Sequence, residues 1–119
     1  MGRLRRYLAR VADRDEERLQ TATLEWASTV PGTQRISEAP SRQRVRLAGM
    51  VRRISVLPIE GIRSLEATIT DGTGEVNVVF MGRRNIEGMS LGTRVVVEGV
   101  IGDQREVRRI VNPKFEFSS

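Results

Sequence analysis

The stretch that decides the fold is Leu65-Glu66-Ala67-Thr68-Ile69-Thr70-Asp71-Gly72-Thr73-Gly74-Glu75-Val76-Asn77-Val78-Val79-Phe80. Leu65, Ala67 and Ile69 alternate with Glu66, Thr68 and Thr70, and Val76, Val78 and Phe80 alternate with Asn77, Val79 and Met81. A period of two sends successive side chains to opposite faces, so each run buries one face and shows the other. Asp71 to Gly74 supplies turn residues between them, with Asp71 bonding its own backbone and two glycines where positive φ is needed. The same alternation occurs upstream, where Val45, Leu47, Gly49 and Val51 interleave with Arg46, Ala48, Met50 and Arg52.

Working outward, strands are expected over about 44–57, 62–70, 75–81, 94–101 and 105–112. Pro58 to Gly61 forms the first loop, and Gly102-Asp103-Gln104 is read as a tight turn. Pro113 ends or edges the last strand. Gly49 and Gly99 fall inside strands, where glycine marks a bulge or sharp coil. Gly82 to Gly92 is long enough for a helical turn, with Ile86, Met89 and Leu91 available to plug one end of a barrel. Five short strands with no long helix between them predict a mainly β protein: a five-stranded Greek-key barrel over 44–119.

Residues 1–30 form an N-terminal helical arm. Leu4, Tyr7, Leu8, Val11 and Ala12 share one face, and Leu19, Ala22 and Trp26 continue the stripe. Between them, Asp13-Arg14-Asp15-Glu16-Glu17-Arg18 fits either a solvated turn of one long helix or a break followed by a second helix, and the capping acids favour the break. Residues 31–43 form a linker. The apolar stripe requires cover, from the barrel in cis or from a second copy, and the large anchors Tyr7 and Trp26 tilt the expectation towards a homo-oligomer.

Composition excludes more than it assigns. The chain has neither histidine nor cysteine. That removes the usual neutral-pH base, thiolate and imidazole metal ligands, disulfides, and Ser-His or Cys-His nucleophiles. No carboxylate cluster has metal-ligand spacing, and no P-loop lysine follows the Asp71–Gly74 glycines. A non-catalytic protein without cofactors is expected. No apolar run spans a bilayer, and a cytoplasmic location is the expectation. The net charge is +5, and of 20 cationic side chains only Lys114 is not arginine. Residues 40–119 hold 13 cations and nine acids, against seven and six in 1–39, so the barrel is the basic part. Arginine pairs with phosphate through a planar fork and stacks on bases.

The runs Val45-Arg46-Leu47-Ala48-Gly49-Met50-Val51, Leu65 to Gly74 and Val76 to Phe80 resemble the OB-fold nucleic-acid-binding family. Leu91-Gly92-Thr93-Arg94-Val95-Val96-Val97-Glu98-Gly99 and Ile110-Val111-Asn112-Pro113 extend the resemblance over about 44–117. It is similar in particular to the wedge domain of branch-migration helicases, the OB domain of bacterial polymerase alpha subunits and the anticodon-binding domains of some tRNA synthetases. Gly82-Arg83-Arg84-Asn85-Ile86-Glu87-Gly88 and Asn112-Pro113-Lys114-Phe115-Glu116 resemble small stand-alone actinobacterial OB-fold proteins. The resemblance implies single-strand binding on the face of the second and third strands, framed by the loops after strands one and four. Exposed aromatics are usual there. This chain has only Tyr7, Trp26, Phe80, Phe115 and Phe117, and Phe80 has the phase of the core.

The candidate contacts to single-stranded DNA or RNA are therefore cationic: Arg52, Arg53, Arg63, Arg83, Arg84, Arg105, Arg108 and Lys114, with Phe115 as a stacking partner beside Lys114. Each has a plainer reading. Arg52, Arg53 and Arg63 fit a solvated rim, Arg83 and Arg84 a capping pair, and Lys114-Phe115 a strand tail packed on the barrel. Adjacent Arg108 and Arg109 cannot both point outward in a regular strand, so a bulge or an edge-crossing stem is expected. The functional expectation is single-stranded nucleic acid binding of low sequence specificity. The alternative is a protein-interaction module on the same barrel.

Overall fold

The computed structural model describes residues 2–104 and 107–118. The chain runs through α1 (Gly2–Thr29), a 3-10 turn (Ile36–Glu38), β1 (Arg44–Ile59), β2 (Ile62–Thr70), β3 (Glu75–Phe80), β4 (Arg94–Gln104), β5 (Val107–Val111) and β6 (Lys114–Phe117). The sheet order is β1-β2-β3-β5-β4-β6, and an additional β1–β4 pairing closes the ring. β3 and β5 run parallel, whereas the other pairs are antiparallel. This is the Greek-key barrel expected from the strand period.

Closure depends on β1, whose first half pairs with β4 up to Met50 and whose second half pairs with β2 from Met50 onward. Gly49 sits at that crossover. A Cβ there would lie 2.5 Å from the Ile69 Cγ2 and 2.8 Å from the Thr70 carbonyl oxygen, so the backbones meet only because the residue is glycine. The register slips between Val51 and Arg53, making Arg52 the bulge. The inward residues Val45, Leu47, Val51, Leu65, Ala67, Ile69, Val76, Val78, Val95, Val97, Ile101 and Ile110 form the core. Ile86 is buried and Met89 half-buried against one end of the barrel, but Leu91 stays exposed, and the 82–92 connection forms turns without a helix.

Several boundaries differ from expectation. β1 continues through Pro58 to Ile59, which pairs with Ile62, so the loop is only Glu60-Gly61. Both have positive φ, 51° and 79°, the signature of a two-residue type I′ hairpin. Gly102, Asp103 and Gln104 belong to β4 and pair with Arg109, Arg108 and Val107; they are not a turn. β5 ends at Val111, ahead of Pro113 as expected, but a sixth strand follows. β6 resumes at Lys114 on the same side of β4, with Lys114 opposite Glu98 and Ile110 opposite Ile101. Three residues (Val111, Asn112, Pro113) thus face two (Gly99, Val100). The insertion is absorbed by Asn112 at φ 50°, and by Gly99, where a Cβ would strike the Ile110 Cγ2 at 2.5 Å.

α1 is one helix without a break at Asp13–Arg18. Arg, Glu and Leu are good helix formers, and nothing in that run forces an interruption. Only its C-terminal half packs on the barrel: Ala27 is buried with Ala48 and Val96, flanked by Trp26 and Val30. Thr23 is buried beside Met50. The Arg94 guanidinium lies 5.2 Å from the Trp26 ring centroid, a cation–π contact.

The Asp71–Gly74 turn does more than reverse the chain. Gly72 has φ 91°, and a Cβ on it would lie 2.9 Å from the Gln20 carbonyl oxygen of α1. Gly74 does not have positive φ. Its role is close approach, with Ser37 N 3.3 Å from where a Cβ would stand. Buried Asp71 accepts hydrogen bonds from Thr73 N (2.8 Å), Thr73 Oγ1 (2.6 Å) and Ile36 N (2.9 Å). Its carboxylate therefore ties the linker as well as its own turn. Ile36 is fully buried in the barrel core.

Candidate nucleic-acid interface

The outward side chains of β1, β2, β3 and β5 are set by strand phase and register. Arg53 pairs with Thr68, Thr68 with Asn77, and Asn77 with Arg109. These four form one row across the outer face of the barrel. The Thr68 Oγ1 donates to Asn77 Oδ1 at 3.0 Å, and Arg109 Nε donates to Glu66 Oε2 at 2.9 Å. A neighbouring row runs through Ser55, Glu66, Val79 and Val111 by the same pairings. At the Arg109 end the face opens into a groove of about 460 Å³. It lies at the Asn112-Pro113 interruption and is lined by Arg44, Glu98, Val100, Arg109, Asn112 and Lys114. Glu98 pairs with Arg44 at 3.3 Å and Glu66 with Arg109 at 2.9 Å, so the groove's net positive charge rests on Lys114.

The expected site residues separate. Arg53 lies on the row and is exposed. Lys114 lies in the groove. Arg52, displaced by the bulge, is held by Glu75 at 2.6 Å and Glu16 at 2.9 Å; it fastens α1 to the sheet. Arg63 is exposed but pairs with Pro58, in the phase of Ile54 and Val56, and so belongs to the opposite face of the hairpin from Arg53. Arg83 and Arg84 are exposed just beyond β3, whose Phe80 pairs with Leu65. They share the end of the sheet where Arg63 stands. Arg105 lies outside the described residues.

Arg108 and Arg109 resolve without a bulge between them. Arg108 has the inward phase of Ile110, but at the barrel end, where its guanidinium donates to the Ile36 carbonyl (2.8 Å) and to the Ala39 carbonyl. It holds the linker down. Arg109 points outward. Phe115 is half-buried, edge-on to Phe80 (centroids 5.1 Å) and to Phe117 (5.6 Å). Three of the five aromatics thus pack on one another against the core, and the outer face carries none among the described residues.

Thr68, Asn77 and Arg44 were not singled out from sequence, and Arg109 entered only as the neighbour of Arg108. Strand phase marks the first two and Arg109 as outward, but only the β3–β5 and β1–β4 pairings bring them beside the others. Among the described residues no group of acids could hold a metal ion, and no helix is long and apolar enough to cross a membrane.

The sequence matches no family model, and no curated protein matches it. Solved structures do resemble it in shape. A replication factor A related protein from Methanobacterium thermoautotrophicum gives a TM-score of 0.56 at 16% identity, over 72% of this chain and 90% of that one. A replication protein A heterotrimer bound to single-stranded DNA gives 0.53 at 16% identity, over 82% and 75%. The Stn1–Ten1 complex of S. pombe gives 0.52 at 22% identity, over 63% of this chain and 57% of that one, so the chain spans little more than half of that protein's length. With the ring order β1-β2-β3-β5-β4 and the parallel β3–β5 pair, these likenesses identify the fold as an OB barrel.

Proposed function

We propose that this protein binds single-stranded nucleic acid without catalysis and with low sequence specificity, across the outer face from Arg53 to the Arg44–Arg109–Lys114 groove. The observation that carries this reading is the continuity of the row Arg53–Thr68–Asn77–Arg109 with that cationic groove. Arginine and lysine take phosphates, and Asn77, backed by the buried Thr68 that donates to its Oδ1, offers a polar contact to sugar or base edges. With no aromatic platform on this face, phosphate pairing supplies most of the affinity, so binding is modest and steeply salt-dependent. Single-stranded DNA is the favoured ligand, because it is the ligand in the name of the structurally similar replication protein A complex. The motifs at Gly82–Gly88 and Asn112–Glu116 support a place among small stand-alone actinobacterial OB proteins working in the cytoplasm.

Fluorescence anisotropy with a labelled oligonucleotide at two salt concentrations tests this. Lys114→Ala and Arg53→Ala should each weaken binding several-fold and flatten the log–log salt slope by about 0.7, one phosphate's worth. Absence of binding by the unmodified chain at low salt would remove the reading.

A second reading, a protein-interaction module, draws on the β1–β2 hairpin. Val56 and Ile62 there are each 47% exposed, and Arg63 stands opposite to Arg53. Two of the similar structures are named as multi-subunit complexes. Under this reading Val56→Ser would abolish partner capture, whereas Arg53→Ala would leave it unchanged.

A further inference from the structure

We infer that the N-terminal half of α1 is the interface of an antiparallel homodimer, in which the first turns of one helix dock beside the acidic middle of its partner. The inference is independent of nucleic acid binding.

The first observation is an apolar stripe without cover. Leu4 is 62% exposed, Tyr7 64%, Leu8 55% and Leu19 48%. At 3.6 residues per turn, Leu4, Leu8, Val11 and Leu19 share one sector of the helix, about 100° round from the sector of Glu16, Gln20, Thr23 and Ala27. The latter sector is the one turned to the sheet and the Asp71–Gly74 turn. Leu4, Leu8 and Val11 precede Asp15 and Glu16, where α1 first meets the barrel, so the existing helix–barrel contact does not reach them.

The second observation is charge. Arg3, Arg5, Arg6 and Arg10 occupy the first ten residues with no acid among them, while Asp13, Asp15, Glu16 and Glu17 outnumber Arg14 and Arg18 in the next eight. The helix's first turn holds no acid, so three arginines crowd the positive end of the helix dipole, an unfavourable placement in isolation. Among the described residues none of the four early arginines pairs with an acid. A parallel pair would set arginine block against arginine block. An antiparallel pair sets each arginine block against the partner's acids, with Leu4 near the partner's Leu19 and the two Val11 side chains near the crossing.

The third observation is a seat for the incoming helix start. A mainly apolar groove of about 350 Å³ lies beside Leu19, lined by Asp15, Glu16, Leu19, Met50, Arg52 and Leu91, with Glu16 paired to Arg52 at 2.9 Å. Leu91 is 66% exposed. An apolar floor with the Asp15 carboxylate on its rim suits a leucine flanked by arginines, which is the chemistry of Arg3-Leu4-Arg5-Arg6.

Sedimentation equilibrium on the full chain, without nucleic acid, should show a dimer at low micromolar concentration that weakens with salt. Arg3→Glu/Arg6→Glu/Arg10→Glu should raise the dissociation constant by at least about tenfold, as should Asp13→Arg/Asp15→Arg/Glu17→Arg; an equimolar mixture of the two variants should restore dimers. All six positions are exposed, so circular dichroism and barrel unfolding should remain those of the unmodified chain. The absence of cysteine gives a clean orientation test. Under mild oxidation a Leu4→Cys chain mixed with a Leu19→Cys chain should cross-link readily, and Leu4→Cys alone poorly. A monomer at every concentration, or efficient cross-linking of Leu4→Cys with itself, would overturn the inference.

Discussion

Two segments outside the barrel strands meet opposite fates. The linker around Ile36–Ala39 is short and mostly polar, yet it is fastened at three points. Ile36 is fully buried, its N–H donates to Asp71, and its carbonyl, with that of Ala39, accepts from Arg108. The first half of α1 is longer and richer in large apolar side chains, yet Leu4, Tyr7 and Leu8 stand in solvent. The number of apolar residues therefore does not decide what docks. A single isoleucine succeeds because it fills the barrel core and because its own N–H and carbonyl each find a charged partner, Asp71 and Arg108. The first half of the helix stripe fails within its own chain because it lies ahead of Asp15–Glu16, where α1 first meets the barrel.

Breaking the linker's fastening should give the largest effects. Ile36→Ala empties a fully buried site and should cost about 3 kcal/mol in urea unfolding; a loss below about 1 kcal/mol would mean that the linker detaches without the barrel noticing. Asp71→Ala removes the acceptor of three hydrogen bonds at a buried position and should cost about 2–3 kcal/mol. It should also accelerate hydrogen exchange at Ile36 and Thr73 while leaving the β1–β4 amides protected. Arg108→Ala should cost about 1.5 kcal/mol but leave oligonucleotide affinity within about twofold at matched salt; a larger loss of binding would return Arg108 to the interface. Leu8→Ser is the smallest. At protein concentrations too low for association it should change unfolding by less than about 0.5 kcal/mol, and a larger change would show that the arm packs in cis.

Much of the fold was legible because the signals are local. Alternation in Leu65–Thr70 and Val76–Phe80, the Asp71–Gly74 turn and the in-strand glycines need only near neighbours. Phe80, by its phase, was legible as core. The boundaries that moved did so for non-local reasons. Gly102-Asp103-Gln104 has turn composition, yet it is recruited into β4 by β5. Pro113, without an N–H to give, permits β6 because its neighbours on β4 include Gly99, which leaves room for the extra residue. The candidate site was less legible. A sequence shows that arginines are numerous, but Arg52 and Arg108 were spent on Glu16, Glu75 and the linker carbonyls, partners 23 to 72 positions away for the bonded pairs with Glu75 and Ile36.

What the sequence by itself determined is the alternating pattern, and with it which side of each strand is apolar and where the basic charge lies. Strand phase is a property of one residue and its immediate neighbours, so it survives without knowledge of the rest. What only the tertiary structure decided is adjacency. The parallel β3–β5 pairing places Asn77 beside Arg109, the β1 bulge turns Arg52 towards α1 and leaves Arg53 on the sheet, and the docking point of α1 leaves Leu4 and Leu8 ahead of its first meeting with the barrel at Asp15–Glu16. Each joins residues far apart in the chain, and the free energy that selects such pairings comes from burying the shared core, which no local window contains.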